Sequence, residues 1–284
     1  MADQTPVALI VGGASGIGLA TAHALVARGD HGVIADINAE AAHQRAAELA
    51  GSARLDGGEP KLGPAHGPGE AASAVAADVT DEDSVAAAFA AARAVGPVRT
   101  VVSCAGLSII GPIADIDLAG WQTTIDVCLT GTMLVIKHAA RTMEDGGSVV
   151  AISSLNGRQP GTTMAAYCSA KAGVLMLVQV AALELGARGI RVNAVSPGLV
   201  DTPLVAGLAT VPGLTDEYIE NTALGRAGIP DDIAQTVEFL TSDRAGWITG
   251  AAFDVNGGAH LKRYPDVLGK VQALAAGSAG SGGG

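Results

Sequence analysis

Tyr167 and Lys171 stand four residues apart in a stretch, Ser154 to Lys171, that reads S-L-N-G-R-Q-P-G-T-T-M-A-A-Y-C-S-A-K. Both fall in the run Met164 to Ala187, whose composition is helix-like. On a helix this spacing puts both side chains on one face, one turn apart. A phenol ionises at about pH 10 and is a poor base at neutral pH. A cation within about 4–6 Å favours the phenolate. A Tyr so placed can exchange a proton with a hydroxyl or carbonyl of a small molecule. Ser154 follows the apolar run Ser148 to Ile152, where its hydroxyl can reach the same oxygen. Y-x-x-x-K is a common pattern, and its meaning depends on the elements around it.

Composition bounds those elements. The chain has 284 residues, room for one large domain or two small ones. Hydrophobic residues make up 49 % and aromatics only 3 %, so the core must be Val, Ile, Leu and Ala. Such a core suits a parallel sheet covered by helices. Lys plus Arg is 17 against 28 Asp plus Glu, a net charge of −11, and there is no basic run. That balance argues against nucleic acid as the main partner. No apolar run reaches the length of a membrane span, and Met1 to Pro6 is short and polar; no membrane partner and no signal peptide are expected. Cys104, Cys128 and Cys168 are an odd number without C-x-x-C or metal-ligand spacing, which fits a reducing, cytoplasmic setting. The six histidines are scattered and no metal site is expected.

In chain order, Pro6 to Val11 is an apolar run long enough for a buried strand. It runs into G-G-A-S-G-I-G, Gly12 to Gly18, and a helix from Leu19 to Ala27. Strand, glycine turn and helix together can hold a diphosphate: the backbone comes close, and the helix N-terminus attracts anionic oxygens. The spacing is G-x-x-x-G-x-G rather than the commoner G-x-G-x-x-G. A second strand, His31 to Ala35, ends at Asp36. An acid there can accept hydrogen bonds from a ribose 2′,3′-diol and would repel a 2′-phosphate. With no Arg or Lys in the glycine loop or just after Asp36, NAD is favoured over NADP. The alternative is that Asp36 only caps the next helix, Ala39 to Ala50, with Asn38 an equal candidate. Gly51 to Ser73 is Gly- and Pro-rich without periodicity, and reads as a mobile surface insertion. Strands follow at Ala74 to Val79, Val98 to Ser103, Ser148 to Ser153, Ile190 to Val195 and Ala251 to Val255. Helices are expected at Asp81 to Ala94, Trp121 to Met143, Met164 to Ala187 and Asp231 to Leu240. Strand–helix alternation predicts a doubly wound α/β sheet in a single domain. The apolar, Gly- and Pro-broken stretch Pro203 to Leu214 follows a strand end, which suits a substrate lid; a surface turn is the alternative. Past Leu261 the chain turns polar and ends in a Gly/Ser tail, read as disordered.

Together, from Gly12 to Gly258, these motifs resemble the short-chain dehydrogenase/reductase family in its single-domain form. The T-G-x-x-x-G-x-G pattern falls on Val11 to Gly18, with Val11 in place of Thr. The acid for the adenosine ribose falls on Asp36, and the adenine-contacting D-V pair on Asp78-Val79. The N-A-G turn falls on Cys104-Ala105-Gly106, without its Asn. Ser154, thirteen residues before Tyr167, and Lys171 take the family's catalytic positions. Arg191 to Thr202 is similar to the nicotinamide-side segment. In the family's helix that carries N-x-x-G-T, Cys128 replaces the Asn that helps hold a relay water. Either backbone carbonyls at Val127 or Cys128 hold that water here, or the relay is impaired.

The resemblance implies a Rossmann-like domain over 1–260, about seven strands with helices on both faces, an insertion at 51–73, a lid at 203–225, and a tail at 261–284. It implies an NAD(H)-dependent interconversion of a secondary alcohol and a ketone. Tyr167 would be the general acid/base, with Ser154 orienting the substrate oxygen and Lys171 assisting. The residues that would hold the cofactor are Gly12, Ser15, Gly16, Ile17, Gly18, Asp36, Ile37, Asp78, Val79, Cys104, Ala105, Gly106, Tyr167, Lys171, Pro197, Gly198, Val200 and Thr202. The pocket walls would be Leu107 to Ile110, Leu155, the Gln159 to Met164 loop and the lid, mostly apolar, so a hydrophobic alcohol or ketone is expected. Alternatives are an NADP-linked carbonyl or 3-oxoacyl thioester reductase, and a non-catalytic nucleotide-binding scaffold. The helix Met164 to Ala187 is apolar nearly all round and needs a second cover. Self-association through helices 117–143 and 164–187, as a homotetramer, is expected.

Overall fold

Every residue of strand β1, Val7–Val11, is apolar and buried. A strand with no face for water belongs in the middle of a parallel sheet. The computed structural model, which describes residues 5–52 and 71–280, places it there. The other strands are β2 His31–Asp36, β3 Ala72–Ala76, β4 Val98–Ser103, β5 Gly147–Ile152, β6 Ile190–Pro197 and β7 Ala252–Val255. Their order across the sheet is β3-β2-β1-β4-β5-β6-β7, and all pairs are parallel. The helices are α1 Gly16–Arg28, α2 Ala39–Ser52, α3 Glu82–Val95, α4 Leu118–Ile125, α5 Gly131–Thr142, α6 Ala165–Leu185, α7 Leu214–Glu220, α8 Pro230–Thr241 and α9 Val267–Gly280.

The period-2 alternation of β1 splits the core in two. Leu9 and Val11 join Phe89 of α3, Val135 of α5 and Val174 of α6 on one face. Ala8 and Ile10 join Leu25 of α1, Leu49 of α2 and Val237 of α8 on the other. Each such aliphatic side chain contributes about 1.5–3 kcal/mol when fully buried. The strand order reverses between β1 and β4, and that reversal opens a crevice at the carboxyl ends of the strands.

Four elements differ from expectation. β3 lies two residues earlier than Ala74, because its register is set by β2, Gly32 to Ala72 through Asp36 to Ala76. Asp78 and Val79 are thereby left just past its end. The helix expected at Trp121 to Met143 starts earlier, where the Asp117 carboxylate caps Gly120 N at 2.6 Å, and is broken by a π-helical turn, Asp126–Thr130. Residues Ala165–Arg188 do reach the length and composition of a membrane span, with a mean hydropathy of 1.5 over an 18-residue stretch, contrary to expectation. Lys171, Gln179 and Glu184 interrupt the apolar letters and hide the run. Here Val174, Val178, Ala181 and Leu185 pack on the sheet instead. Lastly, the supposed tail contains α9, with Val267 buried. Of the expected insertion, 51–52 close α2, Ala71 leads into β3 and Ala72 and Ser73 begin it; the remainder lies outside the described residues.

Candidate active site

The glycine turn after β1 is held by backbone contacts that admit no side chain. Gly12 has φ +79°, and a Cβ there would meet Ala105 N at 2.6 Å. A Cβ on Gly18 would sit 2.1 Å from the Gly12 carbonyl oxygen. The turn is thus folded against the Cys104-Ala105-Gly106 turn that follows β4. Ser15, extended at φ −152°, precedes α1, whose first amides at Gly16, Ile17 and Gly18 open into the crevice. A Cβ on Gly16 would touch the Thr202 side chain at 3.1 Å, so segments almost two hundred residues apart meet here.

Asp36 lies at the tip of β2 beside that turn. Its carboxylate accepts from Ala14 N and Asn38 N, both at 3.0 Å, one on each oxygen. The cap of α2 belongs to Asn38, whose Oδ1 accepts from Ala41 N at 3.1 Å. Asp36 is therefore not spent on the helix, and each oxygen keeps acceptor capacity toward the cavity. Asp78 Oδ1 accepts from Thr80 N and Oγ1, which fixes the turn after β3. Val79 packs so closely on α5 that a Cβ at Gly131 would come within 2.8 Å of it.

At the end of β5, Ser154 is extended and its Oγ accepts from Asn156 N at 3.1 Å, capping a short 3-10 turn. That bond uses a lone pair, and the hydroxyl proton is directed at Asn156 Oδ1, a long contact of 3.5 Å that a closer acceptor can replace. Tyr167 and Lys171 come from the first turns of α6, both buried. Lys171 Nζ donates to Ile152 O at 2.8 Å and lies 5.6 Å from the Tyr167 ring centroid. Ser153 Oγ donates to Lys171 O at 2.9 Å, tying the end of β5 to the helix. Burial pushes the neighbouring Cys104 thiol up to about 12 against the pull of Lys171, so it is a neutral thiol and not a nucleophile.

Cys128 sits fully buried in the π-helical turn, against Tyr167 and Ala170. Its Sγ donates to Leu107 O at 3.2 Å and accepts from Leu107 N at 3.4 Å. The thiol thus binds both backbone groups of the residue after Gly106. The Cys128 carbonyl accepts from Thr132 Oγ1 at 2.9 Å, which occupies one of its two lone pairs.

One cavity of about 710 Å³ collects these elements. Every residue expected to hold a cofactor lines it, from Gly12 to Thr202, and so do Ser154, Tyr167 and Lys171. Of the expected walls, Leu107, Ser108, Ile110, Leu155, Met164 and the Pro203 to Leu214 segment contribute; Ile109 and Gln159 to Thr163 do not. Tyr218 of α7, within the expected lid 203–225, also lines it; sequence reasoning missed Asn156, and Tyr264, Val267 and Val271 from the supposed tail. Glu217 fastens that segment to α7: its Oε1 accepts from Arg263 at 2.8 Å and from Asp266 N at 3.1 Å. A signal did exist. The chain has only three tyrosines, and all three line this cavity.

A glycine turn at the strand-order reversal, an acid on the next strand, and a phenol beside an amine describe an α/β oxidoreductase with a nucleotide cofactor. Residues 12–260 match the family model described as enoyl-(acyl carrier protein) reductase. Over 256 residues the chain is 40 % identical to a cis-4-hydroxycyclohexanecarboxylate dehydrogenase of Sinomonas cyclohexanicum, covering 89 % of this chain and 95 % of that protein. It is 38 % identical to a 3-alpha-(or 20-beta)-hydroxysteroid dehydrogenase of Mycobacterium tuberculosis, over 89 % of this chain and 88 % of that one. The solved structure of a short-chain type dehydrogenase/reductase from Mycobacterium ulcerans superposes with a TM-score of 0.86 at 37 % identity, covering 96 % of each chain. The chain belongs to the short-chain dehydrogenase/reductase family. It is an oxidoreductase of CH–OH groups that interconverts a secondary alcohol and a ketone. Dehydrogenases of this family use nicotinamide cofactors, and the side-chain-free cradle at Gly12 and Gly18 fits the diphosphate of one.

Proposed function

We propose that this chain is an NAD(H)-dependent dehydrogenase of neutral, hydrophobic secondary alcohols, with Tyr167 as its general acid/base. The observation that carries this reading is the meeting of Tyr167, Lys171 and Ser154 in the cavity that also holds the glycine turn and Asp36. A bound nicotinamide supplies the hydride acceptor in oxidation and the donor in reduction. Tyr167 takes the carbinol proton in oxidation and returns it in reduction. Ser154 turns its proton from Asn156 Oδ1, 3.5 Å away, to the reacting oxygen and orients it. The Lys171 ammonium, held by Ile152 O, steadies negative charge as it develops on the phenol oxygen.

Among the described residues that line the cavity, Lys171 is the only Lys or Arg, while Asp36 and Asp78 are the acids. Apart from Lys171, a carboxylate on the substrate or a phosphate on the adenosine ribose would find no counter-ion among them. A titration of the purified protein with NADH and with NADPH tests the cofactor. NADH is expected to bind about tenfold tighter or more, since a juxtaposed like charge costs several kcal/mol and 1.4 kcal/mol is a factor of ten. Asp36→Ser should narrow the gap. Tighter NADPH binding sinks the NAD reading.

The same reading includes a homotetramer working in the cytoplasm. Three free cysteines suit a reducing compartment. Leu183, Met176 and Val180 of α6 and Leu118 of α4 stay exposed in the single chain, an apolar surface that a second copy could cover. Light scattering after size exclusion should give four chains per particle; a monomer at micromolar concentration overturns it.

A further inference from the structure

A run of hydrogen bonds leads from Ser154 along the cavity wall to Tyr218. Asn156 follows Ser154 by two residues and donates its backbone N–H to Ser154 Oγ. Tyr264 OH lies 3.2 Å from Asn156 Oδ1 and 2.8 Å from Tyr218 OH. The direction of these bonds is decided by what each atom can donate. Asn156 Nδ2 donates to Gln159 O at 3.1 Å, so its amide cannot be reversed without setting oxygen against oxygen. Asn156 Oδ1 is then an acceptor only. The other neighbour of the Tyr264 hydroxyl, Met164 Sδ at 3.2 Å, is also an acceptor only. The single proton of Tyr264 goes to one of these two. Its oxygen can only accept from Tyr218, and the proton of Tyr218 is spent there.

What Tyr218 has left to offer the cavity is lone pairs. The geometry holds it so. The two rings meet edge-on at 84°, with centroids 5.7 Å apart. The Tyr264 ring packs on Gly161, where a Cβ would come within 2.6 Å of it. Burial raises both phenols above their ordinary value, so both stay neutral across the working range. Tyr218 and Tyr167 line the same cavity.

We propose that Tyr218 is a specificity-determining hydrogen-bond acceptor, and that the preferred substrate is a hydrophobic secondary alcohol carrying a second hydroxyl remote from the reacting carbinol. A carbonyl or carboxylate at that place would meet Tyr218 lone pair to lone pair. Tyr264 acts through Tyr218 and is a positioning residue. The proposal rests on the reading of this cavity as the substrate pocket of an alcohol dehydrogenase.

The test compares cyclohexane-1,4-diol with 4-hydroxycyclohexanone, a pair alike in size whose remote oxygen donates in one and only accepts in the other. With NAD, kcat/KM for the diol is expected to exceed that for the hydroxyketone by about tenfold, the cost of facing one buried acceptor with another. Tyr218→Phe should bring the ratio close to one. Tyr264→Phe frees the Tyr218 proton to turn into the cavity, where it can be donated to either probe; it should raise kcat/KM for the hydroxyketone about tenfold and leave that for the diol unchanged. A gain on one probe cannot come from misfolding. A ratio near one in the unaltered protein, or no gain on the hydroxyketone in Tyr264→Phe, overturns the proposal. Saturation-transfer NMR of the same two probes reads contact without turnover and separates the two levels. Turnover without preference sinks this inference and leaves the dehydrogenase reading standing; preferred contact with the diol but no turnover supports Tyr218 recognition and removes the assigned chemistry.

Discussion

Tyr167→Phe should lower kcat about 10²–10⁴-fold, the usual contribution of one positioned proton-transfer group. The ring itself packs against Cys128, Ala170 and Met164, apolar contacts that Phe reproduces, so the fold should hold. Affinity for NADH should fall by no more than about tenfold, because at most one hydrogen bond of about 0.5–1.5 kcal/mol is lost. Steady-state rates on cyclohexane-1,4-diol, a fluorescence titration with NADH and a melting temperature separate these three effects. A variant that keeps turnover within tenfold of the parent would mean that another group moves the proton. Ser154 and Lys171 line the same cavity, so Ser154→Ala in the same background would follow.

Gly18→Ala should be the most damaging of the small substitutions. The added Cβ would lie 2.1 Å from Gly12 O, 2.9 Å from Gly12 C and 3.0 Å from Gly13 Cα. All three are backbone atoms and none can swing aside. The turn has to open where α1 begins, and the amides at Gly16 and Ile17 lose their aim. Overpacking of this kind costs about 1–3 kcal/mol, so NADH affinity should drop roughly five- to 150-fold. Gly186→Ala is the matched control: helical at φ −58°, with nothing within 4 Å of its added Cβ. There the change should leave NADH binding alone and, if anything, stabilise by about 0.4–1 kcal/mol through the unfolded chain. Equal NADH affinity in Gly18→Ala and the control would mean that the glycine turn does not hold the diphosphate.

Much of this site was legible because it is written in short-range code. The glycine turn needs residues without Cβ at fixed spacing next to a buried strand, and Gly12 to Gly18 shows that in seven letters. Tyr167 and Lys171 need one helical turn between them, which i, i+4 spacing supplies. Ser154 and Asp36 sit at strand ends that hydrophobic runs mark. Even there the sequence left a choice open: Asp36 could have been a helix cap, and only the bond from Ala41 N to Asn38 gives that task to its neighbour.

The misses share a cause. The π-helical turn at Asp126–Thr130 depends on where Val79 and Leu107 press on the helix, partners that no local pattern names. β3 took its register from β2, not from its own apolar letters. α9 is rich in Ala and Gly, with little to distinguish it from a linker until Val267 and Tyr264 find the cavity and Glu217 anchors the segment.

By itself the sequence determined the doubly wound sheet, the nucleotide-binding turn and the Tyr–Lys–Ser set, because each depends on contacts within a few residues or on a periodicity repeated along an element. Tertiary structure alone decided that Asn156 and the segment from Tyr264 to Val271 join the substrate end. Tyr218 and Tyr264 are 46 residues apart, and Tyr264 in turn meets Asn156 across 108 residues. The proton order along that chain depends on which acceptors surround one hydroxyl, and such surroundings exist only once distant segments have packed.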